Sequence, residues 1–151
     1  MMLYQNQVVD GHDAAFEALH SGIDFTQTII VEKGEELNLT PAAHQIEPTG
    51  YSNNRVSFNV TTESAGYFLL TDMYYPAWEA TVNGVSAEIL RANYAFRAIL
   101  LEPGQHQIEM TFNPPSWQIG WKISLATVVM VLAAYIVLWR QPDPTLVNVS
   151  T

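Results

Sequence analysis

Two patterns of apolar residues divide this chain. Between Thr26 and Phe112 apolar positions recur at every second residue in short runs, and between Ile119 and Trp139 they are nearly continuous. Alternation is the signature of a pleated strand with one face buried, whereas an all-round apolar run is that of a helix in an apolar medium. In Arg55–Thr61, Val56, Phe58 and Val60 fall on one side and Arg55, Ser57, Asn59 and Thr61 on the other. Trp78, Ala80 and Val82 alternate with Glu79 and Thr81, and Val85, Ala87 and Ile89 resume the pattern after Asn83-Gly84. That dipeptide predicts a two-residue hairpin, since its turn needs left-handed backbone at both central positions. Strands are also expected at Thr26–Glu32, Tyr67–Thr71 and Ala95–Leu101. Tyr67–Thr71 is apolar on both sides and should be covered twice. A Pro-then-Gly turn at Glu102–Gln105 leads to a last strand with Ile108, Met110 and Phe112 inward. Asp13–Ser21 predicts one short helix, capped by Asp13, presenting Phe16 and Leu19 on one face and ended by Gly22. The stretch Asn38–Tyr51, with Pro41, Pro48 and Gly50, carries no such pattern and reads as mostly loop.

About seven or eight short strands with frequent turn signals predict a mainly β fold, an antiparallel β-sandwich of jelly-roll-like form with one short N-terminal helix. A single C-terminal transmembrane α-helix follows. From Ile119 to Trp139, at about 1.5 Å per residue, a helix reaches roughly 31 Å, enough for a hydrocarbon core of about 30 Å. Lys122 is the sole charge in that run; Trp117, Trp121 and Trp139 stand where indoles favour the interface, Lys122 can snorkel, and Arg140 with Pro142 ends the span. The expected division is a β domain over 1–116, a transmembrane helix over 117–140 and a short tail over 141–151. The N-terminus, MMLYQNQVVD, lacks the basic and apolar regions of a signal peptide. A lone span in a complete protein would place the domain in the cytoplasm; in a polytopic chain the earlier spans decide. Lys122 and Arg140 nearly balance, so charge leaves both orientations open.

The net charge of −9 becomes informative once divided. Lys122, Arg140 and Asp143 together contribute +1, leaving −10 on residues 1–116. So acidic a domain has no basic footprint for nucleic acid. Absence of cysteine excludes disulfides, thiolate zinc sites and thiol catalysis. No phosphate-cradling glycine loop, Gly-x-Ser-x-Gly elbow or His-Glu-x-x-His helix occurs, and no cofactor is expected. His12, His20, His44 and His106 stand singly, and although Asp10 and Asp13 flank His12 as a metal-ligand cluster would, helix capping by Asp13 is the simpler reading. The sequons at Asn38, Asn59 and Asn148 read as coincidence.

Binding chemistry concentrates in Thr71-Asp72-Met73-Tyr74-Tyr75-Pro76-Ala77-Trp78 and in Arg91-Ala92-Asn93-Tyr94-Ala95-Phe96-Arg97. Aromatic rings beside carboxylates and guanidinium groups suit carbohydrate, whose C–H faces stack on rings while its hydroxyls take planar polar partners. Asp72, Tyr74, Tyr75, Arg91, Tyr94 and Arg97 are therefore the candidate carbohydrate-binding residues. Trp78, at the head of an alternating strand, reads as core. Asp72 with Arg91 or Arg97 can equally form a plain ion pair.

These same residues carry a resemblance. The run Leu69–Leu125, with Tyr74-Tyr75-Pro76-Ala77-Trp78, the Asn83-Gly84 hairpin, Arg91-Ala92-Asn93, Phe96-Arg97-Ala98, the Glu102–His106 turn and Pro114-Pro115 before the span, resembles the C-terminal end of the bacterial YfhO family of integral membrane proteins. The sequence departs from the family pattern at Ala77, where Gly is usual, at Asn83, where Asp is usual, and at Glu102-Pro103-Gly104, all changes that keep the turn chemistry. The resemblance implies a polytopic protein whose multispan part looks like a GT-C glycosyltransferase using lipid-linked sugar to decorate cell-surface polymers. The family's catalytic loop lies near the first spans, so no catalytic residue is carried over and the chain alone is not expected to be an enzyme. By this resemblance the β domain is extracytoplasmic and the C-terminus cytoplasmic. The implied partners are the bilayer, the multispan region and a glycan or lipid-linked sugar. The alternative is a freestanding membrane-anchored interaction or carbohydrate-binding domain.

Overall fold

The computed structural model of the protein describes residues 1–140. Its elements are β1 (Met2–Leu3), β2 (Gln5–Val8), α1 (Gly11–Leu19), β3 (Thr28–Val31), β4 (His44–Tyr51), β5 (Arg55–Thr62), β6 (Gly66–Met73), β7 (Trp78–Val82), β8 (Val85–Ala87), β9 (Leu90–Ala92), β10 (Phe96–Leu101), β11 (Gly104–Phe112) and α2 (Pro115–Arg140). The strands form two sheets, β1-β6-β10-β9-β3-β2 and β4-β5-β11-β7-β8, as the mainly β expectation requires. All pairings are antiparallel except β2 with β3, which is parallel. The chain divides into two compact units, one ending at Asn113 and one beginning at Pro114.

The second sheet follows from the alternation already noted. Val56, Phe58 and Val60 of β5 and Ile108 and Met110 of β11 are buried and face Phe68, Ile99 and Leu101 of the first sheet. Asn83 and Gly84 have φ of 54° and 78°, the left-handed pair that joins β7 to β8. The first sheet is less ordinary. Its two edge strands, β1 and β2, are separated only by Tyr4, so the sheet curls until both edges belong to one stretch of chain. Inside the curl lie Leu3, Ile29, Val31, Tyr67, Leu69, Leu90, Ala92 and Ala98. A small closed sheet fills its interior with side chains in this way. The segment after β3 plugs it: the Tyr67 hydroxyl donates to Glu35 O at 2.7 Å, and Gly34 has φ of 127° where a Cβ would stand 2.8 Å from that hydroxyl. Tyr67 and Leu69 thus face the plug while Phe68 faces the second sheet, giving β6 its double cover.

Four expectations are corrected. The strand count among the described residues is eleven rather than seven or eight, because β1, β2, β4 and β9 are short or lack alternation. Asn38–Tyr51 is not mostly loop: His44–Tyr51 pairs along β5 as an edge strand, with an irregularity between Pro48 and Gly50. An edge strand exposed on both faces has no buried side to alternate, and an edge tolerates proline. The short helix begins at Gly11 with Asp10 at its N-cap, and neither Asp10 nor Asp13 caps it through its side chain. Its buried face is Ala15 and Ala18 against Ile30, while Phe16 is exposed.

The α2 helix is a helix long and apolar enough to cross a membrane. Over its 26 residues it reaches about 39 Å, and its described side chains are exposed throughout. The expected tail, 141–151, and the sequon at Asn148 lie outside the described residues.

Candidate functional site

Of the six candidate residues, Asp72, Arg91 and Arg97 lie on β6, β9 and β10 of the first sheet and Tyr74, Tyr75 and Tyr94 in the connections beside these strands; five of them fall into two separate groups, and Tyr75 stands apart. Arg91 on β9 and Arg97 on β10 are direct cross-strand partners. Arg97 is only 2% exposed. It donates to Asp72 Oδ2 at 2.9 Å, lies over the Trp78 ring at 4.0 Å, and approaches Met110 Sδ at 3.8 Å. Tyr51, from the edge of the other sheet, donates its hydroxyl to the same Asp72 oxygen at 2.6 Å. Burial lowers the Arg97 pKa, and the Asp72 carboxylate opposes that shift. The bond to Asp72 raises the Tyr51 pKa. Arg97 Nε has no hydrogen-bond partner among the described residues, so this group is a desolvated cation held by one carboxylate and one ring.

The second group is open to solvent. Arg91 lies 4.7 Å over the Tyr74 ring and donates to His12 Nδ1 at 2.8 Å and to Glu32 Oε1 at 3.4 Å. His12 approaches the same Glu32 oxygen at 3.0 Å and stacks on Tyr94, with ring centroids 3.9 Å apart. Beside them Asp10, Gly11, Glu32, Lys33, Tyr74, Ile89 and Arg91 line an open concavity of about 370 Å³. Lys33 is bonded to Glu88, which raises its pKa. Tyr75, apart from both groups, is 58% exposed, and its ring is tilted against that of Phe112 with centroids 5.8 Å apart.

Local backbone chemistry positions both groups. Asn93 and Tyr94 have φ of 44° and 69°, which turns the chain between β9 and β10. Asn93 donates its N–H to Ile30 O and accepts from Ile30 N through Oδ1, both at 2.8 Å. One asparagine thereby extends the seam between β3 and β9, where only Val31 and Ala92 pair as strand residues. Sequence reasoning assigned no role to Asn93, Tyr51, His12 or Glu32. An Asn before an aromatic residue between two strand runs is a turn signal, but the pairings of Glu32 with Arg91 and of Tyr51 with Asp72 cross the fold and leave no local trace. The other histidines have partners nearby in the chain: His20 Nδ1 lies 3.0 Å from Phe16 O, His106 Nε2 2.7 Å from Glu102 O, and His44 Nδ1 3.2 Å from Ala42 O, although His44 Nδ1 also lies 3.1 Å from the distant Tyr4 hydroxyl.

Residues 36–124 match the model of a family described as bacterial membrane protein YfhO. The chain belongs to the YfhO family. The uncharacterized protein YfhO of Bacillus subtilis (strain 168) is 32% identical to it over 92 residues, which make up 61% of this chain and 10% of that protein. This chain therefore spans about a tenth of the length of that relative. No solved structure matches it. The YfhO match includes all six candidate residues and the start of α2, but stops short of His12 and Glu32, which complete the open group. This is a membrane protein of the YfhO family with a β-rich unit and, among the described residues, one candidate span.

Proposed function

We propose that this chain is the accessory extracytoplasmic domain and a membrane span of a larger YfhO protein that transfers sugar from a lipid-linked donor to cell-surface polymer. The chain contributes no catalytic group; it holds donor or acceptor near the multispan catalytic part, with the C-terminal end of α2 cytoplasmic. The observation that supports this most is the open concavity beside Arg91, Tyr74 and Glu32, where a guanidinium, a carboxylate and an aromatic ring converge at an open mouth. Planar charged groups and ring edges are what a polyhydroxylated ligand takes. Of the six sequence candidates, Arg91 and Tyr74 line this mouth, Tyr94 supports it through His12, and Tyr75 lies outside it, exposed beside Phe112. Arg97 lies below the surface and acts through Asp72.

The test is sugar transfer by membranes carrying the full-length protein. Replacing Tyr74 and Arg91 together by Ala is expected to lower transfer tenfold or more while leaving the protein folded and inserted. This chain expressed by itself should transfer none. Unchanged transfer by the double variant refutes the contact surface, and transfer by this chain alone refutes the accessory role. Trp121 and Trp139, with Lys122 and Arg140, take the interface positions in this reading, as does Trp117 by sequence. A cysteine introduced at Val85 should react with an impermeant reagent from the outer side only.

A further inference from the structure

Three polar atoms beside the concavity form a tight triangle. His12 Nδ1 stands 2.8 Å from Arg91 Nη1 and 3.0 Å from Glu32 Oε1, and those two partners are 3.4 Å apart. The two short contacts of Nδ1 exclude each other. A guanidinium N–H only donates, so Arg91 needs a bare lone pair on Nδ1; an ionised carboxylate only accepts, so Glu32 needs a proton there. Neutral imidazole with its proton on Nε2 satisfies Arg91, and imidazolium satisfies Glu32.

The surroundings fix the backbone and leave the side chains to respond. Glu32 N donates to Arg91 O at 3.3 Å, and Asn93 holds Ile30 through both its N–H and its side chain, which ties residues 32 and 91 across the seam between β3 and β9. His12 sits in the first turn of α1, which Ala15 and Ala18 pack against Ile30, and its ring stacks on Tyr94. Its side chain is 43% exposed, so solvent protons reach it, whereas those of Glu32 and Arg91 are 19% and 29% exposed. The face of Tyr74, 4.7 Å from the Arg91 guanidinium, offers that cation a second resting place. The charged and titratable groups around His12 are thus Glu32 after β3, Arg91 of β9 and Tyr94 of the following turn, with Asp10 and Asp13 at the start of its own helix. Lys33, which also lines the concavity, is engaged by Glu88.

We propose that His12 is a protonation switch on Arg91: neutral, it holds the guanidinium against Glu32, and protonated, it takes over Glu32 and releases Arg91 toward Tyr74 and the concavity. Imidazolium and guanidinium repel at this separation while imidazolium and carboxylate attract, so the direction of the exchange follows from the signs of the charges. The freed N–H donors are then available to the hydroxyls of a ligand. The switch regulates the ligand site proposed above, and its bearing on sugar transfer rests on that reading; the exchange of partners does not.

Nitrogen NMR of the isotope-labelled full chain in detergent micelles reads both partners, with signals identified by their loss in His12→Gln and Arg91→Lys. Between about pH 8 and about pH 5, the range in which histidine changes charge, His12 Nδ1 is expected to pass from an accepting nitrogen to a protonated one. Rotation about the Arg91 Cζ–Nη bonds, slow while Nη1 is held, should quicken several-fold with the same midpoint. Arg97, held by Asp72 with no histidine beside it, should not change. An Nδ1 already protonated at the alkaline end, or an Arg91 that does not follow His12, overturns the proposal. His12→Gln supplies the second measurement: its amide both accepts and donates, so it can serve Arg91 and Glu32 together, and the pH dependence of Arg91 should vanish. A transition that persists in this variant overturns the switch. Sugar transfer by the full-length protein keeps the two readings apart. Coupled signals beside full transfer by the Tyr74 and Arg91 double variant support the switch and refute only the ligand site, and uncoupled signals overturn the switch whatever the transfer rate.

Discussion

The Arg97 guanidinium lies 4.0 Å from the centre of the Trp78 ring, buried between the two sheets. Its charge is offset by Asp72, which remains about a third exposed, and by the ring face. Replacing Asp72 by Asn keeps the shape and removes the counter-charge. A fully buried pair broken in this way costs about 3–5 kcal/mol, and water access at Asp72 reduces the expected loss to roughly 1–3 kcal/mol. Urea unfolding of the full chain in micelles measures it. Trp78→Leu should lose a comparable amount by stripping the ring from an already desolvated cation, and the two losses should be non-additive because they share Arg97.

Asn93 supplies both a left-handed backbone and an acceptor for a buried N–H. Asn93→Ala leaves Ile30 N unpaired and adds backbone strain, for an expected cost of about 2–4 kcal/mol. Asn93→Gly relieves the strain and should cost about 1 kcal/mol less. Asn93→Asp retains an acceptor and should fall below about 1 kcal/mol. This order, Ala worst and Asp mildest, is read from unfolding midpoints.

Gly34 and Gly84 both have positive φ, but only Gly34 is crowded. Gly84→Ala meets open space and should cost about 1 kcal/mol from the backbone alone. Gly34→Ala drives a methyl group into Tyr67, which is fully buried, and should cost roughly 1–3 kcal/mol more. Thermal unfolding of the two variants side by side separates the contributions.

Burial raises the Tyr67 phenol above its ordinary value of 10.0. The unfolded chain then loses this proton first, so stability is complete below about pH 10 and falls as pH rises from there toward the folded-state value. Tyr51 acts in the same direction through its bond to Asp72. Tyr67→Phe should cost about 1 kcal/mol at pH 8, for the lost bond to Glu35 O, and should flatten the decline between pH 10 and 11. Unfolding at stepped pH checks both effects, and an unchanged slope in the variant contradicts the assignment.

The sequence by itself determined those elements whose stabilising partners are local. Val56, Phe58 and Val60, the Asn83-Gly84 turn and the uncharged run ending at Trp139 each state their environment within a few residues, because side-chain period and turn backbone are local properties. The ordered motifs from Tyr74 to Pro115 were enough to reach the YfhO family. Tertiary structure decided the rest. Met2 and Leu3 become buried strand only because β6 lies beside them, and His44–Tyr51 becomes strand only because β5 offers an edge. Nothing local separates Arg91 from Arg97, two arginines on adjacent strands. One faces solvent with Glu32 and His12, and the other is sealed between two sheets against Trp78 and Asp72. Which of them can meet a ligand depends on how far the second sheet extends over the first, a relation between distant segments that no local pattern encodes.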